Sequence, residues 1–435
     1  MTVNAGLKDL LAYEETFDCV QCGYCLPSCP TYMTMEKESH SPRGRVHLVK
    51  MAAEGKISIE EMERSLDLCL GCRACETACP TNVQYGKIFE SAKVAITENS
   101  RDSMTIKEKA IRNMVFKRGI SNKKAMNVIG SGMQWYQKAK IDQVFRKSGL
   151  SKLLPKSMRE MELIIPKVEK SKEMGRKYTL LKPDGSPVMR VAFFTGCIMD
   201  AFFGRINDLS MLLLQKAGCE VILIEEQGCC GALHQHSGET DQTRELAKAN
   251  IDAFEKYNAD FVVNSIGGCG AMMVEYHHLF QQNDEWYPRA KKFAEKAKDV
   301  SWILDQLNLP FIKNIPRSAV YQPSCHLRNV QKVQNQPVNL LKKIPGLSYL
   351  KMPEEDMCCG SAGIYNIIHY EEASNILERK MGNITPLHPD LVVTSNPGCH
   401  LQLLLGVKKE GLEEKVKVIH IIELLAEACG LTQSK

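Results

Sequence analysis

The sequence contains no run of eighteen apolar residues, the length a helix needs to cross a bilayer. The stretch VAFFTGCIMDAFFG is too short and opens into polar sequence on both sides. The first residues, MTVNAGLKDLLAYEE, show no basic n-region, apolar h-region or cleavage site, so secretion into an oxidising compartment is not expected. A cytoplasmic chain, dissolved or held peripherally on the inner face of the cell membrane, is the expectation. No G-x-G-x-x-G follows a strand-like run, so the chain carries no obvious flavin or nicotinamide site to accept a hydride. Aromatic residues make up 7% of the chain. Within and beside residues 101–177 they are Phe116, Trp135, Tyr136, Phe145 and Tyr178, too sparse for base-stacking platforms, so nucleic acid is not expected as a partner.

What is present is cysteine, 18 residues of it in 435. The length allows two or three domains, and the hydrophobic and charged fractions, 44% and 25%, are those of an ordinary globular protein. In a reducing cytosol, dense cysteine clusters hold metal more often than disulfides. The net charge of +5 hides an asymmetry: residues 101–177 carry 20 Lys or Arg against 7 Asp or Glu. Such a segment suits an anionic lipid surface or an acidic partner, and equally a solvated helical linker.

Cys19, Cys22, Cys25 and Cys29 stand in C-x2-C-x2-C-x3-C-P spacing, and Cys69, Cys72, Cys75 and Cys79 repeat it. Three thiolates spaced by two residues can wrap one face of an iron–sulfur cube, while the fourth, expected to open a helix, reaches the neighbouring cluster. The expected ligand sets are therefore Cys19, Cys22, Cys25 and Cys79 for one [4Fe–4S] cluster. Cys69, Cys72, Cys75 and Cys29 form the other set. A zinc ribbon would need only two C-x2-C pairs in all. Between the motifs, Gly44 and Gly55 are read as breaks, and EEMERSLDLC has helical periodicity through Met62, Leu66 and Cys69. Arg43 and Arg45 are expected to pair with local carboxylates or carbonyls, or to act on the clusters as nearby positive charge.

From about residue 188 the chain repeats itself. RVAFFTGCIMD matches SAVYQPSCHLRN, GCEVILIEEQGCCGA matches GLSYLKMPEEDMCCGSAG, and ADFVVNSIGGCGAMM matches PDLVVTSNPGCHLQL, at offsets of 128 to 130 residues. A duplication follows. Strand-like EVILIE and FVVNS alternate with helical stretches, which predicts parallel βαβ units. The cysteines Cys197, Cys229, Cys230 and Cys269, and in register Cys325, Cys358, Cys359 and Cys399, each fall after a strand. They should converge beyond the carboxyl ends of each sheet. Two readings stay open: a site for a further cluster or thiol–disulfide chemistry, and buried cysteines packed as small hydrophobes. Cys219 and Cys429 have no counterpart and read as core. His234, His236, His326 and His400 lie near the repeat cysteines, as ligands, proton relays or structural residues. Residues 126–147 place Val128, Trp135, Tyr136, Ile141 and Val144 among lysines, an interfacial helix or one that packs on its own protein.

The first motif, the PRGR segment from Pro42 to Arg45, the second motif and the paired Cys–Cys–Gly repeats together resemble the iron–sulfur subunit of bacterial glycolate oxidase. Heterodisulfide reductase, anaerobic glycerol-3-phosphate dehydrogenase and lactate-utilisation proteins include its wider relatives. The resemblance implies an α+β and α/β multidomain fold. A helical two-[4Fe–4S] ferredoxin-type domain (1–100) and a basic helical linker (101–187) would precede two α/β cysteine-rich CCG repeats (188–315 and 316–435). It also implies a hetero-oligomeric oxidoreductase in which FAD-bearing partner subunits oxidise glycolate to glyoxylate and this chain carries electrons toward a quinone or another acceptor. A related lactate or glycerol-3-phosphate dehydrogenase, or a thiol/disulfide oxidoreductase, is the alternative. Heterodisulfide reductases close each repeat with C-x2-C, whereas Met272 and Gln402 stand at those places here, which sets disulfide reduction behind.

Overall fold

The computed structural model describes residues 3–149, 153–165, 168 and 179–431. Tyr178 and parts of the basic segment lie outside them.

The N-terminal part is helical. Helices Val3–Leu10, Pro42–Ala53, Ile59–Asp67 and Tyr85–Ser103 close around Leu11, Val46, Val49, Met62, Leu66 and Ile88. The periodic segment before Cys69 forms its helix as its spacing predicts, and Ser58 and Glu61 cap it reciprocally. Gly44 does not break the chain. It lies inside Pro42–Ala53, where a Cβ would sit 2.0 Å from the Glu38 carbonyl oxygen. The glycine is there for close approach. Gly55, at φ +70, does end that helix. Cys29 precedes the helix Pro30–Met35 as expected. Cys79 differs: its chain turns through residues 80–84 before Tyr85–Ser103 begins.

The basic segment is a string of helices, including Ile106–Asn113, Lys123–Lys138 and Lys156–Ile164. Lys123–Lys138 buries Met126 and Gly130. A Cβ on Gly130 would meet the Ala201 carbonyl oxygen at 2.6 Å, so this glycine admits close packing on the first repeat. Val128, Trp135 and Val144 remain exposed. Among the described residues no helix is long and apolar enough to cross a membrane.

Two sheets follow. Strands β1 (Leu180–Leu181), β2 (Met189–Phe193), β3 (Cys219–Leu223), β4 (Phe261–Asn264) and β5 (Ala297–Asp299) lie in the order β1-β3-β2-β4-β5. Strands β6 (Ser318–Gln322), β7 (Ser348–Tyr349), β8 (Leu391–Thr394) and β9 (Lys417–His420) lie in the order β7-β6-β8-β9. The duplicated strands pair in parallel as predicted. The exception is β1, which precedes the first repeat's matched segments and adds an antiparallel edge to β3. One core spans both repeats, joining Phe193 and Val263 to Tyr321, Val393 and Ile419. Cys219 and Cys429 are buried in it.

Candidate metal centres

The two N-terminal motifs curl in the same way. Gln21 and Gly23 in the first, and Gly71 and Arg73 in the second, all adopt positive φ. Two left-handed residues at matched places tighten each loop, turning its sulfurs to one side. Cys19, Cys22 and Cys25 line one pocket together with Cys79 from the other motif. Val20, Val46 and Val83 supply apolar wall. The second group is deeper. Burial pushes the Cys75 thiol well above its usual range, and Cys72, Cys69 and Cys29 push it further. Cys72 behaves likewise, with Cys325, Cys29 and Cys69 as its neighbours. Cys79 thus lines the pocket of the first motif's cysteines, which Cys75 also reaches, and Cys29 lies close enough to act on Cys75 and Cys72 and also on Cys25.

Arg45 decides what the deeper group can hold. It is 1% exposed, and it donates to the Ser65 carbonyl at 2.7 Å and to Thr31 Oγ1 at 3.1 Å. Its Nη1 lies 3.9 Å from Cys29 Sγ, and Nη2 is buried without a partner. An unsatisfied guanidinium nitrogen among buried thiols is costly, unless an anionic group shares the space. Four thiolates on an iron–sulfur cube supply that charge, so the residues present fit such a cluster. Arg43 instead pairs with Glu38 at 2.7 Å and the Gln21 carbonyl at 3.0 Å. Cys79 is set apart. Burial opposes its thiolate, but the Thr81 hydroxyl and the backbone N–H groups of residues 81–83 outweigh this and lower its pKa.

In both repeats the four cysteines converge beyond the strand ends. Cys197 Sγ is 3.7 Å from Cys229 Sγ, and Cys230 Sγ is 3.0 Å from Cys269 Sγ. Cys325 stands beside Cys358, and Cys359 beside Cys358 and Cys399, all as free thiols. Sharing with Cys229 and with Cys358, followed by burial, raises Cys197 and Cys325 alike. Gly231 and Gly360 turn the Cys–Cys–Gly corners at φ +86 and +88, which favours glycine. Among the described residues no group of His, Cys, Asp or Glu is arranged to hold a single metal ion. Where a fifth cysteine would stand, Met272 is buried and Gln402 bonds Asn366 Nδ2 at 2.9 Å.

Among the described residues, the second repeat is the one whose cysteines pack against the N-terminal motifs. Cys72 packs in one cluster with Cys358 and Cys325. Asn329 Nδ2 donates to the Cys72 carbonyl at 2.9 Å, Tyr365 OH to the Leu68 carbonyl at 3.3 Å, and His326 Nε2 lies 3.0 Å from the Gly71 carbonyl oxygen. Of the other histidines, His234 bonds Ser121 Oγ at 2.9 Å, His236 faces His326, and His400 meets Phe203 edge-on. Burial keeps all four neutral by lowering their pKa values.

Sequence reading missed Lys380. It is 0% exposed, and burial pulls its pKa down to about 8, while Cys359 and Cys358 are the leading groups that favour its charge. A signal existed: Lys380 lies on the apolar stripe with Ala373, Ile376, Leu377 and Ile384.

The comparisons agree with this layout. Residues 15–83 match the family described as a 4Fe-4S dicluster domain, and residues 191–274 and 319–404 match the Cysteine-rich domain. Residues 107–165 match the linker region of the glycolate oxidase iron-sulfur subunit. The probable glycolate oxidase iron-sulfur subunit of Bacillus subtilis (strain 168) is 44% identical over 428 residues, 97% of this chain and 96% of its own. The glycolate oxidase iron-sulfur subunit of Escherichia coli (strain K12) is 26% identical over 94% of this chain and 93% of its own. Lactate utilization protein A of Geobacillus sp. (strain WCH70) is 30% identical over 54% of this chain and 99% of its own. A solved structure, of a hypothetical protein from Helicobacter pylori, aligns with 78% of this chain and 77% of its own at 11% identity and a TM-score of 0.40. With cysteine groups of this kind and near-complete relatives on both sides, the chain belongs to the family of glycolate oxidase iron–sulfur subunits.

Proposed function

We propose that this chain is the electron-transfer subunit of a glycolate oxidase complex. FAD on partner subunits would oxidise glycolate to glyoxylate, and electrons would leave through this chain toward a quinone or another acceptor, with the complex peripheral on the membrane. Cys19, Cys22, Cys25 and Cys79 would hold one [4Fe–4S] cluster. Cys69, Cys72, Cys75 and Cys29 would hold a second. When bound, a cluster supplies one-electron chemistry. The chain has no flavin motif, so the two-electron step falls to a partner.

The observation that supports the reading is the nearness of each fourth cysteine to the other motif: Cys79 lines a pocket with Cys19, Cys22, Cys25 and Cys75, and Cys29 lies near the buried Cys75 and Cys72. The chain's own residues set the environment of both sites. Val20, Val46 and Val83 line the first, which stays partly open to solvent at Cys22, and the Arg45 guanidinium places fixed positive charge beside Cys29. The second repeat would hold a further cluster on Cys325, Cys358, Cys359 and Cys399, supported by the packing of Cys72 against Cys358.

The test is the anaerobically purified complex, assayed for iron and sulfide and by low-temperature EPR, with glycolate as reductant. Glycolate should reduce the clusters only while the flavoprotein subunit is present. Zinc in place of iron, or reduction that persists after the flavoprotein is removed, overturns the proposal. Reduction by lactate but not glycolate replaces the substrate and keeps the role.

A further inference from the structure

The two repeats can be aligned in sequence along one helix. Thr240–Glu255 in the first and Tyr370–Ile384 in the second begin at offset 130. Each helix is followed by an aspartate, Asp260 or Asp390, whose Oδ2 accepts from the first-strand backbone N–H of Arg190 or Ser318. The buried position 250 therefore corresponds to 380. In the first repeat it is Asn250, a neutral amide that accepts from the Gly228 N–H and donates to the Cys229 carbonyl, both at 2.9 Å. In the second it is Lys380, whose Nζ donates to the Glu354 carbonyl at 2.6 Å.

A fully buried ammonium beside one carbonyl is expensive. It is offset if the space it faces carries negative charge. The Glu354 and Glu355 carboxylates supply part of it, after Cys359 and Cys358 in effect; four protonated thiols add none, and four thiolates on an iron–sulfur cube add a net excess. A neutral amide at position 250 makes no such demand.

We propose that Lys380 is the positioning charge of a third centre, which only the second repeat holds, and that the first repeat, with Asn250 at the same place, stays without a cluster. The inference rests on the cluster proposed above for the second repeat. Removing a fixed positive charge stabilises the oxidised, less negative form, so the midpoint of that centre falls.

The experiment compares the wild-type chain in its complex with Lys380→Met and Lys380→Arg by iron content and EPR redox titration, the two N-terminal signals serving as the internal check on folding. About twelve irons per chain are expected. The third signal should shift to lower potential or disappear in Lys380→Met and recover in Lys380→Arg. A merely structural lysine would leave the midpoint in place. About sixteen irons in the wild type would fill both repeats and overturn the asymmetry. About eight would remove the underlying cluster itself. Twelve irons with an unmoved third midpoint in Lys380→Met would overturn the role of Lys380 and leave the cluster standing.

Discussion

The two cysteine-rich repeats share strand order, cysteine register and glycine corners, and differ in what they face. Beside Cys72 the second repeat meets the N-terminal motifs through neutral groups bonded to backbone carbonyls, and the one charged group it sends there, Arg379 among the described residues, also goes to a carbonyl, that of Met33. The first repeat adds ion pairs to the neutral Thr97 Oγ1–Ser237 carbonyl bond at 3.2 Å: Arg73 pairs with Glu275 at 2.5 Å, and Arg101 of the basic segment with Glu239 at 2.9 Å. Duplication supplied two copies of one scaffold, and the surfaces then took different work. Backbone bonding fixes one thiol group against another at short range, whereas ion pairs hold two bodies together with less demand on register.

Titration offers the largest way to sharpen that comparison. Each sheet ends in a strand whose last residue caps the next helix, Asp299 after β5 and His420 after β9. Both caps are buried and both favour the neutral form. Burial pushes Asp299 up to about 6, against the hydrogen bonds it accepts from Ser301. Burial pulls His420 down to about 3, with His400 adding to the effect. Between about pH 4 and 6 the folded state binds the extra proton at Asp299, so stability falls as pH rises through that window. Between about pH 3 and 6.5 the unfolded state binds the extra proton at His420, so stability rises with pH. The two slopes oppose each other. Asp299→Asn should remove the falling limb, about 3 kcal/mol at most, and leave stability rising more steeply with pH. Denaturant midpoints measured from pH 4 to 7 check this; an unchanged profile would place the charge of Asp299 in contact with solvent.

The docking surfaces come next in size. Asn329→Ala leaves the Cys72 carbonyl buried without its donor and should cost about 1–3 kcal/mol. It should also broaden the signal of the second N-terminal cluster. Glu275→Ala leaves Arg73 with Glu76, 2.8 Å away, and should cost about 0.5–1.5 kcal/mol, an effect that shrinks as salt is raised. Equal costs and equal salt response would erase the distinction drawn between the two surfaces.

The reach of sequence reading follows the same division. Cysteine spacing is legible because a cluster dictates covalent distances along the chain, and the grouping of Cys29 with Cys75 needs only the spacing and the proline. Alternating strands and helices gave the parallel sheets for the same local reason. Gly44 misleads because a glycine kept for close approach looks, in sequence, like one kept to end a helix. Only the Glu38 carbonyl 2.0 Å from its missing Cβ tells them apart. Asn329 and Tyr365 were illegible because their partners are backbone carbonyls some 260 to 300 positions away, and a carbonyl has no sequence identity. Lys380 lay between: its place on an apolar stripe was visible, the thiols it serves were not.

The smallest effect isolates the corners themselves. Gly231 and Gly360 have nearly the same φ, so an added methyl group strains both backbones equally, by about 1–2 kcal/mol. What the Cβ would touch is different. At Gly231 it would come within 2.9 Å of Thr243 Cγ2, a side-chain methyl that moves only if the Thr243 Oγ1 bond to the Glu239 carbonyl is given up. At Gly360 it would come within 2.9 Å of the Ala373 carbonyl oxygen, which belongs to a helix backbone. Ala373 also stands on the helix that carries Lys380, so any yielding there moves the buried ammonium relative to Cys359. Gly360→Ala should therefore be the more destabilising of the pair, by about 1 kcal/mol in thermal or denaturant unfolding. It should also disturb the third EPR signal, which Gly231→Ala leaves alone. If the two variants unfold alike and neither moves that signal, the corners are equivalent, and the asymmetry between the repeats is confined to their charges.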